Sequence, residues 1–192
     1  YCDDCCDFVL TKPTEESGWY LISKPVELAW FARLINGGID AEDHTNAKAK
    51  LTADLDFSAY TDHDYNWTPI GTADKPFSGT FDGNSHKISG LNYSGEYAGL
   101  FGYMNGGTIS NIRLADSSFA NGTVSGGICA VNNGGTIENS AVDNVDVSGG
   151  TAGGICGQNS GTITDCFFSG NVSSDGKSGG ICGSNSGTIK ST

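Results

Sequence analysis

A short glycine-rich segment recurs four times along this chain, and this repetition constrains the fold more than any other feature. Each copy contains a glycine, two apolar residues and a small residue, followed by a turn and a Thr-Ile pair. The isoleucines that close the copies are separated by 28, 26 and 26 residues, and they are Ile109, Ile137, Ile163 and Ile189. A nearly constant period of this length indicates one supersecondary unit that stacks on copies of itself.

The pattern inside each unit is typical of short strands separated by tight turns. Runs rich in isoleucine and valine alternate with Asn-Gly and Ser-Gly pairs, and no helical periodicity lies between them. Equivalent strands of successive units must then stack in parallel, roughly 4.8 Å apart. We predict an all-β fold, a right-handed parallel β-helix with one three-sided coil per unit. A fainter copy at residues 88–91, aligned with residues 109–112, predicts that the coil begins before the clear repeats.

Two columns of equivalent residues are expected along the coil. Cysteine occupies the same repeat position three times, where the first copy has Phe101; these residues are Cys129, Cys156 and Cys182. Because strand neighbours point to opposite faces, this column or the adjacent one, Leu100 and its equivalents, fills the interior, and the other is covered or lies at a corner. An asparagine ladder is predicted before the turns, formed by Asn105, Asn133, Asn159 and Asn185.

The first part of the chain has a different pattern. Apolar residues at helical spacing predict one amphipathic helix from Pro25 to Asn36, which we expect to cover the open end of the solenoid. The predicted organisation is a cysteine-rich segment at 1–18, a capping region with this helix and the first strands at 19–85, and the repeats at 86–192. The last repeat stops before a cap, so we expect the coil to continue further and to permit end-to-end self-association of the uncapped coil.

At these residues the chain resembles the GLUG repeat of bacterial surface proteins. The resemblance is carried by residues 98–102 and their Gly-Ile-Cys copies, and by the upstream segments 51–56, 67–72 and 77–84. These segments are similar to those that precede such repeats in adhesin-like proteins of gut bacteria and in the N-terminal region of immunoglobulin A1-cleaving metalloproteases. The resemblance implies a β-helical, non-catalytic, extracellular region that serves adhesion or presents other domains, and it supplies no catalytic residue. Cysteine in three of the four repeats departs from the commoner aliphatic or aromatic residue.

Charge and hydropathy exclude two classes of partner. Ten Lys and Arg residues against 22 Asp and Glu give a net charge of −12, which repels nucleic acid and anionic membrane surfaces. No apolar run approaches the roughly 18 residues that a membrane-spanning helix needs. We expect no nucleic-acid partner and no membrane insertion within this sequence.

Catalysis is the first alternative, because polysaccharide lyases and hydrolases share the β-helix architecture. They need acidic residues stacked on adjacent coils, or two carboxylates a few ångströms apart. The acidic residues of the repeats fall at unrelated offsets from the isoleucines, and they are Asp116, Glu138, Asp143, Asp146 and Asp165. We therefore expect no enzyme, no catalytic residue and no cofactor, with a carbohydrate-active enzyme kept as an alternative.

Two pairs of carboxylates are weak candidates for calcium, namely Asp54 with Asp56 and Asp62 with Asp64. Neither pair belongs to an EF-hand or an RTX pattern, so solvated strand faces are the favoured interpretation.

The seven cysteines are an odd number, so at least one lacks a partner within the chain. In the N-terminal cluster of Cys2, Cys5 and Cys6, the spacing suits a metal or a disulfide. In the repeats, parallel side-chain vectors disfavour a disulfide between Cys156 and Cys182, and buried free thiols are favoured.

The combined expectation is a module of a bacterial surface-bound or secreted protein. It would act in adhesion or as a scaffold, binding a glycan or protein of a host or neighbouring cell along one solenoid face. The alternatives are a ligand-free spacer that presents another domain, and the enzyme considered above. The candidate binding residues are Trp67, Tyr93, Tyr97 and Tyr103, for which core or cap packing is the competing interpretation.

Overall fold

The computed structural model describes residues 9–61 and 66–191. In this part of the chain the protein is a β-solenoid of about six turns with two helices, α1 (Pro25–Ile35) and α2 (Ser58–Thr61). The strands, in chain order, are β1 (Thr14–Glu16), β2 (Trp19–Ile22), β3 (Lys48–Leu51), β4 (Leu55–Asp56), β5 (Thr80–Asp82), β6 (Lys87–Ser89), β7 (Asn92–Ser94), β8 (Tyr97–Ala98), β9 (Phe101–Asn105), β10 (Thr108–Ser110), β11 (Arg113–Gly126), β12 (Cys129–Asn133), β13 (Thr136–Glu138), β14 (Ala141–Gly153), β15 (Cys156–Asn159), β16 (Thr162–Thr164), β17 (Phe167–Gly179), β18 (Cys182–Asn185) and β19 (Thr188–Lys190).

Three sheets form the walls of the solenoid. The first sheet has the order β1-β2-β3-β5-β10-β13-β16-β19, and the second has the order β17-β14-β11-β6-β4 with β7 and β8 also paired to β11. The third sheet has the order β18-β15-β12-β9. Among these pairs only β1 with β2 is antiparallel. The parallel β-solenoid expected from the repeats is confirmed.

The core is built from columns of apolar residues that lie in register from coil to coil. In the first sheet the fully buried column consists of Ala49, Phe81, Ile109, Ile137 and Ile163. Each rung removes an apolar side chain from water, which is the main favourable term in folding. A shift of one residue in the strand register would turn the isoleucines outward. Apolar and polar residues must therefore alternate in the same register in every coil.

The coil begins before the clear repeats, as predicted, but the alignment of residues 88–91 with residues 109–112 is wrong. Ile88 pairs with Leu114 in the second sheet, and the partner of Ile109 is Phe81. Gly79-Thr80-Phe81 is the earlier equivalent of the Gly-Thr-Ile segment, with the same 28-residue step as the following unit. Sequence alignment missed this copy because phenylalanine replaces isoleucine there. Parallel stacking begins still earlier, at β2, where Trp19 pairs with Lys48.

The turn from the second sheet to the third explains the glycines of the repeat. At Gly153 an added Cβ would overlap the carbonyl oxygen of Cys156 and crowd the amide of Gly183 at 2.6 Å. Gly126 has the same relationship to Cys129. Only a residue without a side chain lets the backbone reverse this tightly, so the glycine is a requirement of the turn.

Helix α1 packs against the core with one side. Glu27 near its start accepts hydrogen bonds from the backbone amides of Ser23 and Lys24, at 2.7 and 3.1 Å. These bonds satisfy donors around the start of the helix. Phe31 packs against the core rings of Phe77 and Phe81, with centroids 6.4 and 6.1 Å apart. The helix predicted from Pro25 is therefore confirmed, and its apolar side faces the core.

Candidate functional site

The cysteine column lies in register in the third sheet. Cys129 pairs with Phe101 and Cys156, and Cys156 pairs with Cys182. These three cysteines and Cys166 are free thiols. Burial raises the pKa of Cys156 well above 9.0, and the adjacent Cys156 thiol together with burial raises the pKa of Cys182. The thiols of Cys156 and Cys182 are therefore held in the protonated form, and all three cysteine side chains pack in or against the core.

The asparagine ladder differs from the predicted one. Asn159 lies opposite Asn132, not Asn133, and it donates onward to Asn185 over 2.7 Å. Asn133 faces outward and donates to Asn105 over 3.0 Å. The reason is the turn length: two residues separate Asn159 from the following threonine, whereas three separate Asn132 from its threonine. Aligning the repeats on their threonines therefore placed Asn133, instead of Asn132, in the column with Asn159.

Trp67 belongs to the core and not to a binding surface. Its side chain is 1% exposed, and its Nε1 donates to the carbonyl oxygens of Gly99 and Leu100 at 3.2 and 3.3 Å. The indole also packs edge-on against Phe57, with centroids 5.6 Å apart. A buried indole with a satisfied N–H has no group left for a ligand, so this candidate is wrong.

Tyr97 and Tyr103 come together on the outer surface. Their rings meet edge to face, with centroids 5.9 Å apart and planes at 84°, and both side chains are half-buried. They pack against a small apolar cluster of Val124, Ala130 and Val131 that is separate from the main core. Burial, the Glu96 carboxylate and Tyr103 together raise the pKa of Tyr97. The two phenol rings are thus held in place while remaining partly accessible.

A groove of about 240 Å³ runs from Tyr103 along the outside of the third sheet. We call it the third-sheet groove. The residues that line it are Tyr103, Val131, Asn132, Asn133, Gln158, Asn159, Ser160, Ser184 and Ser186. Four of them stand in one register column, in the order Tyr103, Val131, Gln158 and Ser184. The groove therefore follows the solenoid axis across four coils.

A second cavity of about 320 Å³ adjoins the same pair of rings on the side of Tyr97. Tyr93 also lines it, together with the carboxylates Asp74 and Glu96. Sequence reasoning missed these two acidic residues because they lie outside the clear repeats, where no alignment assigns them a face. Three of the four aromatic candidates, Tyr93, Tyr97 and Tyr103, are thereby brought to one surface.

The calcium candidates that the structure describes are engaged with the protein itself. Asp54 Oδ1 accepts from the Lys87 backbone amide at 2.9 Å and lies 3.0 Å from His86 Nδ1. Asp56 Oδ1 accepts from the Ser58 amide at 2.9 Å. The Lys87 and Ser58 amides respectively are the main cause of the lowered pKa of the two carboxylates. Within the described residues no three His, Cys, Asp or Glu side chains are grouped to hold a metal.

Several predictions fall on residues outside the described part of the chain. These residues are Asp62 and Asp64 of the calcium candidates, and Cys2, Cys5 and Cys6 of the N-terminal cluster. Among the described helices, neither α1 nor α2 has the length and apolarity to span a bilayer.

Comparison with known proteins identifies the repeat. The family described as the GLUG motif matches residues 148–173, which run from the second sheet through the tight turn to the next coil. Halomucin of Haloquadratum walsbyi is 35% identical over 123 residues, an alignment that covers 58% of this chain and 1% of that protein. The chain thus spans about a hundredth of the length of this relative.

A solved structure shares the fold. The crystal structure of a putative immunoglobulin A1 protease from Bacteroides ovatus superposes with a TM-score of 0.56 at 21% identity, covering 88% of this chain and 63% of that one. The chain therefore spans a little under two thirds of that structure. The expected likeness to these proteases is confirmed at the level of the fold.

Proposed function

We propose that this chain, a GLUG-motif repeat protein with a β-solenoid fold similar to that of the Bacteroides protein, is an extracellular, non-catalytic adhesion module. It attaches a secreted or surface-bound bacterial protein to glycans or proteins of a host or neighbouring cell. The similarity to Halomucin supports a place in a large surface protein.

The observation that carries this proposal is the pair of rings formed by Tyr97 and Tyr103. A tyrosine supplies a rigid apolar face and a polar hydroxyl, which is why this residue is enriched at binding surfaces. Here the two rings are braced by Val124 and Val131 on the outside of the molecule, and cavities open on both sides of them. Aromatic groups packed this way lose little conformational freedom when a ligand binds.

The arrangement of the carboxylates supports a non-catalytic role. In the second sheet Asp143 stands between Ala115 and Ser169, and Asp146 stands between Ser118 and Asn171. The neighbouring rungs thus carry no second carboxylate, whereas hydrolysis of a glycosidic bond uses a pair.

The test is binding of the whole chain to immobilised mucin, to a glycan array and to cultured epithelial cells. The measurement is made with and without calcium, beside an unrelated acidic β-helix and the double variant Tyr97→Ala/Tyr103→Ala. Saturable binding that the double variant loses supports the adhesion module. Signal no higher than that of the acidic control on every surface overturns it and leaves the ligand-free spacer.

Asp74 and Glu96 provide the specific reason to include the enzyme alternative, because both line the cavity beside Tyr93 and Tyr97. The bound glycans are therefore assayed for newly formed reducing ends. Release that Glu96→Gln abolishes would replace the binding role by hydrolysis.

A further inference from the structure

We infer that the third-sheet groove binds an extended, uncharged polysaccharide chain that lies along the solenoid axis, with Tyr103 as the platform on which one sugar ring stacks. The inference rests on the proposed function and names its ligand class.

The spacing of the groove residues matches that of an extended polysaccharide. Tyr103, Val131, Gln158 and Ser184 are direct register partners on four successive parallel strands. Neighbouring strands lie about 4.8 Å apart, so the column repeats at that interval. This interval is close to the length of one pyranose unit in an extended polysaccharide. A chain lying parallel to the axis would therefore present about one sugar to each coil.

The polar side chains of the groove differ in whether they are free to bind a ligand. The side chains of Asn132 and Asn159 are committed to each other and to the glycines of their turns. By contrast, the Tyr103 hydroxyl, the Gln158 amide and the Ser184 hydroxyl have no hydrogen-bond partner in the described part of the chain. Three of the four residues in the column thus offer a side-chain group that is free to form hydrogen bonds with a ligand. The asparagine ladder beside them fixes the position of the strands. Sugars carry a hydroxyl on almost every carbon, and such donors and acceptors match them.

The lining of the groove is uncharged. The residues that line the groove include no carboxylate, ammonium or guanidinium group. A polyanion such as a sulfated or uronic acid polymer would find no cation there and would meet a chain of net charge −12. A cationic ligand would lack a carboxylate partner in the groove. An uncharged glycan is the ligand that this lining fits.

The composition of the lining distinguishes a glycan ligand from a protein partner. Protein interfaces bury a broad apolar centre with a polar rim. The groove is instead lined mainly by polar side chains, and Val131, 8% exposed, is the single aliphatic side chain beside the Tyr103 ring. Stacking of a sugar ring on one aromatic face, with hydrogen bonds from amide and hydroxyl groups alongside, is the mode of binding that this lining permits.

The experiment is calorimetric titration of the whole chain with neutral hexasaccharides of cellulose, mannan and laminarin type. Heparin, polygalacturonate and a deglycosylated mucin polypeptide are the comparison ligands. The variants are Tyr103→Ala, Tyr103→Phe and Gln158→Ala, with Thr162→Ala as the control. Thr162 has a comparable partly exposed position on the outside of the first sheet, where it pairs with Thr136 and Thr188. Circular dichroism verifies that each variant is folded.

We expect one of the neutral oligosaccharides to bind, with an affinity that rises with length up to about four sugars. Tyr103→Ala should weaken binding about tenfold, and Tyr103→Phe should weaken it less because the ring remains. Loss of the Gln158 hydrogen bond should weaken binding roughly three- to tenfold, and Thr162→Ala should leave it unchanged.

Three results would overturn the inference. The first is a preference for heparin, polygalacturonate or the mucin polypeptide, which would leave the adhesion module standing with a different ligand. The second is neutral-glycan binding that the groove variants do not weaken, which would place the site on another face. The third is absence of binding to every ligand and to the mucin surface, which would remove the proposed function together with the inference.

Discussion

The side-chain amide of Asn132 donates a hydrogen bond of 2.8 Å to the Oδ1 of Asn159 in the next coil, and both residues are almost fully buried. Each asparagine also holds its own turn: Asn132 bonds both the amide and the carbonyl of Gly135, and Asn159 does the same with Gly161. The ladder therefore fixes the stacking of the coils and the shape of the turns together. It also sets the wall of the groove that we propose as the binding surface.

Replacing Asn159 by alanine should destabilise the solenoid. The change removes the Asn159 oxygen that accepts from the buried Asn132 amide, together with both bonds of Asn159 to Gly161, and a buried polar group left unsatisfied costs about 1–3 kcal/mol. Chemical denaturation followed by circular dichroism should show a loss of roughly 2–3 kcal/mol. The control is Asn133→Ala, on the exposed side, which should cost less than about 0.5 kcal/mol. Equal losses from both variants would contradict the register.

The glycine before the tight turn should tolerate no side chain. Gly153→Ala places a methyl group against the carbonyl oxygen of Cys156 and the amide of Gly183, so the turn must open. We expect the soluble yield and the thermal midpoint to fall sharply. Gly180→Ala is the matched control, since no atom lies within 4 Å of the added methyl, and its effect should stay within about 1 kcal/mol. A Gly153→Ala protein as stable as the control would refute this geometry.

The buried thiols of the third sheet should resist alkylation in the folded protein. They should also make the free energy of unfolding decrease at alkaline pH. The pKa of Cys156 is raised in the folded protein, so the unfolded chain loses its proton first. The stabilisation is therefore complete below the ordinary pKa of 9.0 and declines as the pH rises above it. Iodoacetamide labelling with peptide mapping at pH 8 should reach Cys129 and Cys156 only after denaturation. Rapid labelling of Cys156 in the native protein would contradict its burial.

The carboxylate of Asp54 should contribute to the acid limb of stability. Its pKa is lowered in the folded state, first by the Lys87 amide and then by His86. The contribution is present above the unfolded value of 3.8 and disappears as the pH falls through the lower folded value. Thermal midpoints measured from pH 7 to pH 3 should decline below about pH 4, and Asp54→Asn should flatten that decline. Superimposable profiles for the two proteins would show that this carboxylate plays no part.

The sequence predicted the repeating architecture because the repeat has a direct physical cause. One unit cannot bury its apolar side alone, so the isoleucines must recur at a fixed step and stack. The same reasoning predicted helix α1 from the spacing of Leu28, Phe31 and Leu34, which are buried in the structure. The periodicity of the apolar residues was therefore sufficient to predict most of the fold.

The details of the corners were less accessible. Asn111, Asn139 and Asp165 all have positive φ, and each follows its repeat isoleucine by two residues. The constant spacing, together with the tolerance of Asn and Asp for this conformation, was a usable signal for a corner. The ladder partner of Asn159 was harder to predict from the sequence. The turn differs in length by one residue between the two repeats, so an alignment that matches the residues after the turn mismatches those before it.

The candidate site depended on exposure, which the sequence does not encode residue by residue. Trp67 and Tyr103 were equivalent candidates as aromatic residues, yet one is buried and the other borders the groove. The separate apolar cluster beneath Tyr97 and Tyr103 arises where the end of the second sheet meets the third, a contact between strands that no local pattern predicts.

Nuclear magnetic resonance titration tests most directly the claim that the outside of the third sheet is the recognition surface. Backbone amides of an isotope-labelled sample are followed while the neutral hexasaccharide that binds best is added. We predict that the shifted resonances belong to Tyr103, Val131, Gln158 and Ser184 and their neighbours, while those of Thr136 and Thr162 in the first sheet stay unchanged. Shifts confined to the first sheet, or none at saturating glycan, would contradict it.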